Sequence, residues 1–299
     1  MALFDWLKDK NKKENRDVAL VLSTGGARGL AHIGAIDQLL AHNYRITSVA
    51  GTSMGALVGG MYAAGRLEDF KAWMQTMDRR KVISLMDFSL SLNHLMKGDR
   101  IIAAMMEVVP DVNIEDLSIP YCAIATDAVT GTEVVFTRGS LYEAIRASIS
   151  LPLFFNPVHS GERILIDGGL VNPLPLNRVK REKDDLLVGI NVSGHDYRGQ
   201  LELKKMLKEQ SEKSRVMSFI NKLLPDNADM NYYTLLNRSI SIMINHNAQL
   251  AVKLTPPDLL VEIPMNRYNT FDFDKFGRLY AIGSNKTKKA IEQWKGLNT

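Results

Sequence analysis

Residues 46–64 read ITSVAGTSMGALVGGMYAA, and they decide the fold because a short apolar stretch passes through a G-x-S-x-G motif into a run of small residues. The first five residues predict a buried strand, and the last eleven predict a helix packed closely against a sheet. Ser53 would then stand on a sharp turn between the two elements. Gly51 and Gly55 leave room for the strained backbone that such a turn imposes.

A serine on this turn is suited to nucleophilic attack. The N-terminus of the following helix favours the negative charge that develops on a carbonyl oxygen under attack. The alternative is a glycine-rich turn in which the serine is incidental. Because the motif follows a strand and opens a helix, we favour Ser53 as the nucleophile of a serine hydrolase.

A second glycine-rich turn lies earlier in the chain, after a predicted strand at 18–23 (VALVLS) and before a predicted helix at 30–40. The turn contains Gly25, Gly26, Ala27, Arg28 and Gly29. Backbone N–H groups in such a turn can point into open space, as an oxyanion hole or a phosphate nest requires. A dinucleotide-binding fingerprint is disfavoured, since Thr24 occupies its first glycine position and no acidic residue ends the next strand near residue 50.

A third feature is an aspartate at the end of an expected strand. Residues 163–166 (RILI) predict the strand, and Asp167 follows it, ahead of Gly168 and Gly169. The two glycines give the carboxylate little steric cover, so that it can face a cleft. Asp-Gly is also one of the commonest turn dipeptides, and these residues alone do not separate a catalytic aspartate from a plain turn.

Strands alternate with helices along the chain, which predicts an α/β fold with a mostly parallel sheet covered on both faces. Further strands are expected at residues 121–125, 133–137, 186–192 and 259–263. The chain has 299 residues, of which 45% are hydrophobic and 23% charged, as in an ordinary globular protein. We expect one domain over residues 17–290, with a charged helix at 200–215, between an N-terminal tail, 1–16, and a C-terminal tail, 291–299.

The charge and the single cysteine indicate which ligands and which compartment the sequence favours. The net charge is +4 and the isoelectric point about 9.0, a bias too weak to indicate nucleic acid. One cysteine permits no disulfide within the chain, and the lack of a cysteine or histidine cluster in the sequence argues against a metal, so we expect no cofactor. No secretory signal is visible, and we expect a cytoplasmic protein. Residues 8–16 carry five basic and two acidic residues, which predicts a solvated tail or a peripheral contact with anionic lipid at the inner membrane surface.

Together, the three motifs resemble those of the patatin-like phospholipase family. Residues 147–157 (ASISLPLFFNP) are similar to the family's A-S-x-x-x-P-x-x-F-x-P block. Residues 98–100 (GDR) and 167–173 (DGGLVNP) also fit, and residues 237–258 resemble bacterial members related to the neuropathy-target-esterase catalytic domain. The resemblance covers residues 17–290.

The resemblance implies a three-layer α/β/α sandwich with a mostly parallel central sheet. It also implies hydrolysis of carboxylic esters of lipids or lysophospholipids, of phospholipase A or lysophospholipase type, without a cofactor. Ser53 is then the nucleophile, Asp167 its base, and the backbone of residues 25–29 the oxyanion hole. The family's oxyanion block reads G-G-G-x-R-G, and Thr24 replaces its first glycine, so we expect a narrower mouth.

An aspartate with a pKa of about 4 is a poor base near pH 7. Partial burial would raise the pKa of Asp167 and improve the match. A Ser–His–Asp triad stays open, because triads assemble in space, and His195 is its best candidate. His32 is expected to be a packed structural residue, and His42 to stand at a helix end.

Two other functions stay open. An acyltransferase would pass the acyl group from Ser53 to an alcohol or thiol instead of water. A non-catalytic regulator on the same fold is disfavoured, because Ser53, Asp167 and the glycine turn are all intact. Several methionines between residues 74 and 106 predict either core packing or a mobile lid over an acyl-chain pocket.

Overall fold

The computed structural model describes residues 16–85, 98–152, 154–194, 232–264 and 268–298. The strands are β1 (Asp17–Leu22), β2 (Arg45–Thr52), β3 (Tyr121–Asp127), β4 (Thr132–Phe136), β5 (Val158–Ser160), β6 (Arg163–Asp167), β7 (Leu186–Asn191) and β8 (Leu259–Glu262). The helices are α1 (Ala31–Ala41), α2 (Met54–Ala63), α3 (Leu67–Gln75), α4 (Arg79–Leu85), α5 (Asp99–Val108), α6 (Leu141–Ser148), α7 (Tyr232–Leu254) and α8 (Phe276–Asn298). Short 3-10 turns lie at Gly26–Leu30, Ile114–Asp116, Gly168–Leu170 and Phe273–Lys275.

The strands form a single sheet in the order β5-β6-β3-β2-β1-β7-β8, with β4 also paired to β3. Strands β3, β2, β1, β7 and β8 run parallel to one another, whereas β4, β5 and β6 pair antiparallel. A parallel sheet is buried on both faces, which explains why β1 is a nearly unbroken apolar run. The predicted mostly parallel α/β sheet is confirmed.

Helices cover both faces of the sheet. On one face, Leu20 and Leu22 pack in the larger hydrophobic core with side chains of α1, α2, α6 and α8. On the other face, Ala19 and Val21 pack in a second core that includes Ala248 of α7. This alternation follows because successive side chains of a strand point to opposite faces. The layers are those of the expected α/β/α sandwich.

The expected strands all occur, with ends within two residues of the predicted ones. The additional strand, β5, has three residues and pairs at the sheet edge with β6, so it is too short to leave a pattern in the sequence. The helix expected at 30–40 is preceded by the 3-10 turn at Gly26–Leu30 and runs over Ala31–Ala41.

The C-terminal region differs from the expected tail at 291–299. Helix α8 continues to Asn298, and Ile291 is fully buried because apolar residues at helical spacing continue past residue 290. Residues 1–15 and the helix expected at 200–215 lie outside the described residues. Across the part of the chain that is described, none of the helices has the length and apolar character needed to cross a bilayer.

Candidate active site

Ser53 stands on the turn between β2 and α2, where the G-x-S-x-G motif predicts it. Its backbone has φ 56° and ψ −122°, a conformation that residues with side chains rarely adopt. A Cβ on Gly55 would lie 2.3 Å from the carbonyl oxygen of Leu22, and one on Gly51 would lie 2.4 Å from the carbonyl group of Gly55. The two glycines therefore permit the close approach of backbones that the turn requires.

The hydroxyl of Ser53 donates a hydrogen bond of 2.6 Å to Oδ2 of Asp167. Asp167 ends β6, which pairs with β3, and β3 pairs in turn with the strand that leads to Ser53. The sheet therefore brings together two residues that are 114 positions apart. Both side chains are buried, with exposed fractions of 6% for Ser53 and 2% for Asp167.

Further hydrogen bonds hold the aspartate in place. The N–H of Gly169 donates to Oδ1 of Asp167 at 2.7 Å, so that each carboxylate oxygen has a donor. The hydroxyl of Thr126 donates to the main-chain carbonyl of Asp167 at 2.9 Å. The Asp-Gly-Gly sequence thus forms a turn and also aims the carboxylate at Ser53.

Burial raises the pKa of Asp167 from its ordinary value of 3.8 to about 6. The hydrogen bonds from Ser53 and Gly169 lower the pKa and only partly offset this effect. A carboxylate with a pKa near 6 accepts a proton from a hydroxyl more readily than an ordinary aspartate does.

The glycine turn lies beside this pair, but it offers fewer donors than expected. The N–H of Ala27 donates to the carbonyl oxygen of Thr270 at 2.8 Å and is thus already bonded in the structure, so its role as an oxyanion donor stays a prediction. The N–H groups of Gly25 and Gly26 have no acceptor among the residues that the structure describes, and both residues line the cavity beside Ser53. These two N–H groups are available to a group bound in the cavity, and their role as oxyanion donors stays a prediction.

Arg28 and Gly29 have separate places in this turn. Arg28 lines the cavity, and its Nε donates to the carbonyl oxygen of Gly25 at 2.9 Å. Burial lowers the pKa of its guanidinium, although an arginine stays charged at neutral pH. Gly29 packs against Met54, since a Cβ there would lie 2.3 Å from the Met54 Cγ. Gly29 therefore serves the packing of the turn on α2.

Thr24 lines the cavity and is 6% exposed. Its N–H donates to the carbonyl oxygen of Pro173 at 2.9 Å. A Cβ on Gly169 would lie 3.0 Å from Cγ2 of Thr24, so the threonine side chain occupies space beside the turn that follows Asp167. That Thr24 narrows the mouth of the site stays a prediction.

An apolar cavity of ≈ 350 Å³ adjoins Ser53 and Asp167. Side chains of α3, α4, α5 and α7 line it, among them Phe70, Trp73 and Ile101. Its volume lies near the lower end of the range for small-molecule sites, about 300–1,000 Å³. The composition of the wall suits an apolar group more than a polar one.

Three of the methionines in the expected region, Met74, Met77 and Met105, line this cavity. Met74 and Met105 are also part of the larger hydrophobic core. These side chains therefore serve both the core and the pocket. Residues 86–97 of the same region lie outside the described residues, and a lid stays a prediction.

None of the histidines in the described ranges lines the cavity. His32 is fully buried, its Nε2 lies 2.9 Å from the carbonyl oxygen of Ser23, and burial lowers its pKa to about 4. At the end of α1, Nδ1 of His42 lies 2.8 Å from the carbonyl oxygen of Gln38. His195 lies outside the described residues, so a triad through it stays a prediction.

Sequence reasoning missed the role of Ser148, which entered only as part of a motif. Its Oγ accepts a hydrogen bond of 2.7 Å from the N–H of Ser53. The available signal was a serine within the resembling block at 147–157.

The fold and the arrangement of Ser53 and Asp167 agree with one family. The family model described as patatin-like phospholipase matches residues 20–179, more than half of the chain, and this stretch includes both residues. The chain therefore belongs to the patatin-like phospholipase family, which is a family of lipid hydrolases.

Within this family, the chain is similar to NTE family proteins. Uncharacterised NTE family proteins of Mycobacterium bovis and Mycobacterium tuberculosis are 30% identical to this chain over 92% of it and 91% of their own length. The lysophospholipase NTE1 of Scheffersomyces stipitis is 26% identical over 97% of this chain, which spans 19% of that protein. Among solved structures, VipD from Legionella pneumophila matches with a TM-score of 0.47 and 14% identity, covering 94% of this chain and 67% of that one.

Proposed function

We propose that the protein is a serine esterase of the phospholipase A or lysophospholipase type, with Ser53 as nucleophile and Asp167 as its base. The observation that carries this proposal is the 2.6 Å hydrogen bond from Ser53 to Asp167 beside an apolar cavity. A pKa of about 6 for Asp167 supports its use as a base without a histidine.

Acylation begins when Oγ of Ser53 attacks the ester carbonyl carbon and its proton moves to Oδ2 of Asp167. The N–H groups of Gly25 and Gly26, together with the N-terminus of α2, stabilise the charge that develops on the carbonyl oxygen. The tetrahedral intermediate then collapses and the bond to the alcohol oxygen breaks. The alcohol leaves with the proton from Asp167, and the acyl group remains as an ester on Ser53.

Deacylation repeats these steps with water as the nucleophile. Asp167 takes a proton from the water as its oxygen bonds to the acyl carbon, and the same N–H groups stabilise the second oxyanion. When the bond to Ser53 breaks, the proton on Asp167 returns to Oγ of Ser53. The fatty acid is released and the enzyme regains its starting state.

The lining of the cavity supports a lipid as substrate. Aromatic and aliphatic side chains suit an acyl chain, and a volume of ≈ 350 Å³ favours one chain over two. The name of the yeast relative, a lysophospholipase, also supports a single-chain substrate. Arg28 forms no ion pair with a carboxylate among the described residues, which supports a phosphate group on the substrate.

Two helices that line the cavity support peripheral contact with an anionic membrane surface. Helix α4 (RRKVISL) carries three exposed cations and no acidic residue. Helix α7 contains an arginine and a lysine and likewise no acidic residue. Apolar side chains are exposed on the same helices, with fractions of 50% for Ile83, 49% for Ile242 and 53% for Met243. Cations beside exposed apolar groups are typical of helices that lie in a lipid interface.

The decisive experiment compares wild type, Ser53→Ala and Asp167→Asn on three reagents: a fluorophosphonate probe, p-nitrophenyl butyrate and a lysophosphatidylcholine. Wild type should be labelled and should release fatty acid. Ser53→Ala should lose both labelling and activity, and Asp167→Asn should lose activity. Labelling that persists in Ser53→Ala would refute the nucleophile, and full activity in Asp167→Asn would refute the base.

Ser48→Ala is the matched control, because Ser48 is a buried serine on β2 whose hydroxyl donates to the carbonyl oxygen of Lys180, away from the cavity. Its labelling and activity should equal those of the wild type. Adding glycerol as an acceptor tests for acyl transfer, since an acylglycerol product in place of fatty acid would identify an acyltransferase.

A further inference from the structure

The end of helix α6 touches both members of the Ser–Asp pair. Ser148 is the last residue of α6, and its Oγ accepts the N–H of Ser53 at 2.7 Å. Two residues later, the carbonyl oxygen of Ser150 accepts the N–H of Asp167 at 2.9 Å. Ser148 and Ser150 are both fully buried, so water does not compete for these bonds.

The hydroxyl of Ser148 is bonded in two directions. While it accepts from Ser53, it donates to the carbonyl oxygen of Ile124 at 2.5 Å. Ile124 lies on β3, the strand between β2 and β6, which lead to Ser53 and to Asp167. Ser148 thus ties the turn that carries the nucleophile to the strand that separates it from the base.

The backbone of Ser53 needs such support. Its φ of 56° is costly for a residue with a side chain and persists only where the surroundings hold it. As the residue before the first turn of α2, Ser53 has an N–H that lies outside the hydrogen bonds of that helix. The hydroxyl of Ser148 is the acceptor that this N–H has in the structure.

The segment that supplies these contacts is itself anchored. Nη1 of Arg146 donates to the hydroxyl of Ser150 at 2.7 Å and to the carbonyl oxygen of Asn156 at 3.1 Å. The chain after α6 is therefore tied back to the helix at Ser150 and at Asn156. Because this segment is held in place, it can hold the main chains of Ser53 and Asp167, to which it is hydrogen-bonded, in defined positions.

We propose that Ser148 is a positioning residue, which holds the main chain of Ser53 so that its hydroxyl meets Asp167 in line for proton transfer. The main-chain carbonyl of Ser150 does the same for Asp167, and the two contacts together set the separation of nucleophile and base. This inference rests on the proposed function, since it assigns a role in the same reaction. Ser148 itself does not touch the reacting atoms.

The test uses Ser148→Ala and Ser148→Cys in the full chain, with Ser48→Ala as the control. Cysteine keeps the side chain's approximate size and supplies only a weak acceptor, so it carries the test if the alanine variant fails to fold. We expect kcat toward p-nitrophenyl butyrate and the rate of fluorophosphonate labelling to fall about 10–100-fold, while KM stays within about threefold, because a small misplacement costs rate rather than binding. The melting temperature is measured alongside.

A second readout does not depend on activity. Amide hydrogen exchange, followed by mass spectrometry in a peptide spanning residues 50–55, should be faster in both Ser148 variants than in wild type and Ser48→Ala. A folded Ser148 variant with wild-type kcat and wild-type exchange would overturn the inference. If the wild type were itself inactive and unlabelled, the proposed function would fail, whereas the exchange result would still decide whether Ser148 holds the Ser53 backbone.

Discussion

Asp167 accepts a hydrogen bond of 2.6 Å from Ser53, yet no cationic side chain among the described residues forms an ion pair with its carboxylate. A buried carboxylate without a positive neighbour is held in its charged form only by neutral donors. This explains why burial dominates and raises the pKa of Asp167. The pair therefore differs from a salt-bridged aspartate, whose pKa would be lowered.

The pH dependence of activity should report this carboxylate. With a pKa of about 6 for Asp167, we expect kcat/KM toward p-nitrophenyl butyrate to be constant above about pH 7 and to fall about tenfold per unit below pH 6. The fall arises because a protonated Asp167 cannot accept the proton of Ser53. An activity that stays constant down to pH 4 would exclude Asp167 as the base.

Asp167→Asn should separate activity from stability. Because the pKa of Asp167 is raised in the folded state, its charged form opposes folding above pH 6, and the difference from 3.8 to about 6 corresponds to about 3 kcal/mol. Asp167 therefore does not destabilise the folded state below about pH 4, where it is protonated in both states. Its destabilising effect grows as the pH rises from 4 and is complete above about pH 6. We expect Asp167→Asn to be inactive but more stable than wild type at pH 8, by up to that amount, in urea unfolding.

Asp127→Asn serves as the control for this effect, with the opposite sign. Hydrogen bonds from the N–H of Val129 and the hydroxyl of Thr130 help to lower the pKa of Asp127, so its charged form favours folding above pH 4. Asp127→Asn should therefore lose stability at pH 8. If Asp167→Asn showed the same loss, the charged form of Asp167 would not destabilise the folded state.

Substitution in the glycine turn should affect the rate more than substrate binding. A Cβ on Gly26 would lie 2.6 Å from Cγ2 of Thr270, and its φ of 56° disfavours alanine, so Gly26→Ala should displace the N–H groups of the turn. Removing an oxyanion donor costs about 10²–10³ in kcat, and we expect a loss of that order in steady-state kinetics. Gly277→Ala is the control, because a Cβ there meets nothing within 4 Å. Equal kcat for both variants would contradict the assignment.

Arg28→Gln should change substrate preference. If its guanidinium binds a phosphate, kcat/KM for lysophosphatidylcholine should fall about tenfold or more, while that for monooleoylglycerol, which has no phosphate, should change little. Arg28 also donates to the carbonyl oxygen of Gly25, so an equal loss on both substrates would mean that it only supports the turn. The ratio of the two kcat/KM values is the measurement.

Charge reversal on α4 should weaken membrane contact. The triple variant Arg79→Glu, Arg80→Glu and Lys81→Glu replaces three exposed cations beside the cavity, and each cation near an anionic surface contributes about 1 kcal/mol. Sedimentation with phosphatidylserine-containing vesicles should fall at low salt in this variant. The control reverses three exposed lysines of α8, at positions 286, 288 and 289, and should sediment like wild type. Equal losses in both variants would indicate a general charge effect.

Local patterns predicted the parts of the site that are built locally. The strand, the glycines and the helix around Ser53 lie within one short stretch, so their geometry follows from neighbouring residues. The pairing of Ser53 with Asp167 came from the resemblance, because Asp-Gly-Gly has the same appearance in any turn. The family match supports the resemblance, and the 2.6 Å hydrogen bond supplies the geometry.

Contacts between distant parts of the chain were beyond sequence reasoning. The N–H of Ala27 is bonded to the carbonyl oxygen of Thr270, and neither residue type predicts that bond. The hydroxyl of Ser148 is bonded for the same reason, since a buried serine finds partners that only the packed sheet supplies. The C-terminal helix is a different case, because apolar residues at helical spacing past residue 290 were a readable signal, and the core on which α8 packs adds the burial of Ile291.

The bond from Ala27 to Thr270 has a consequence for synthesis on the ribosome. A growing chain that has emerged as far as Asp167 already carries both Ser53 and Asp167. It still lacks Thr270, which tethers the glycine turn, and Phe271 and Phe273, which close part of the cavity. The site is therefore assembled only after residues 270–273 have been added, so Ser53 and Asp167 are synthesised well before the residues that hold the glycine turn beside them.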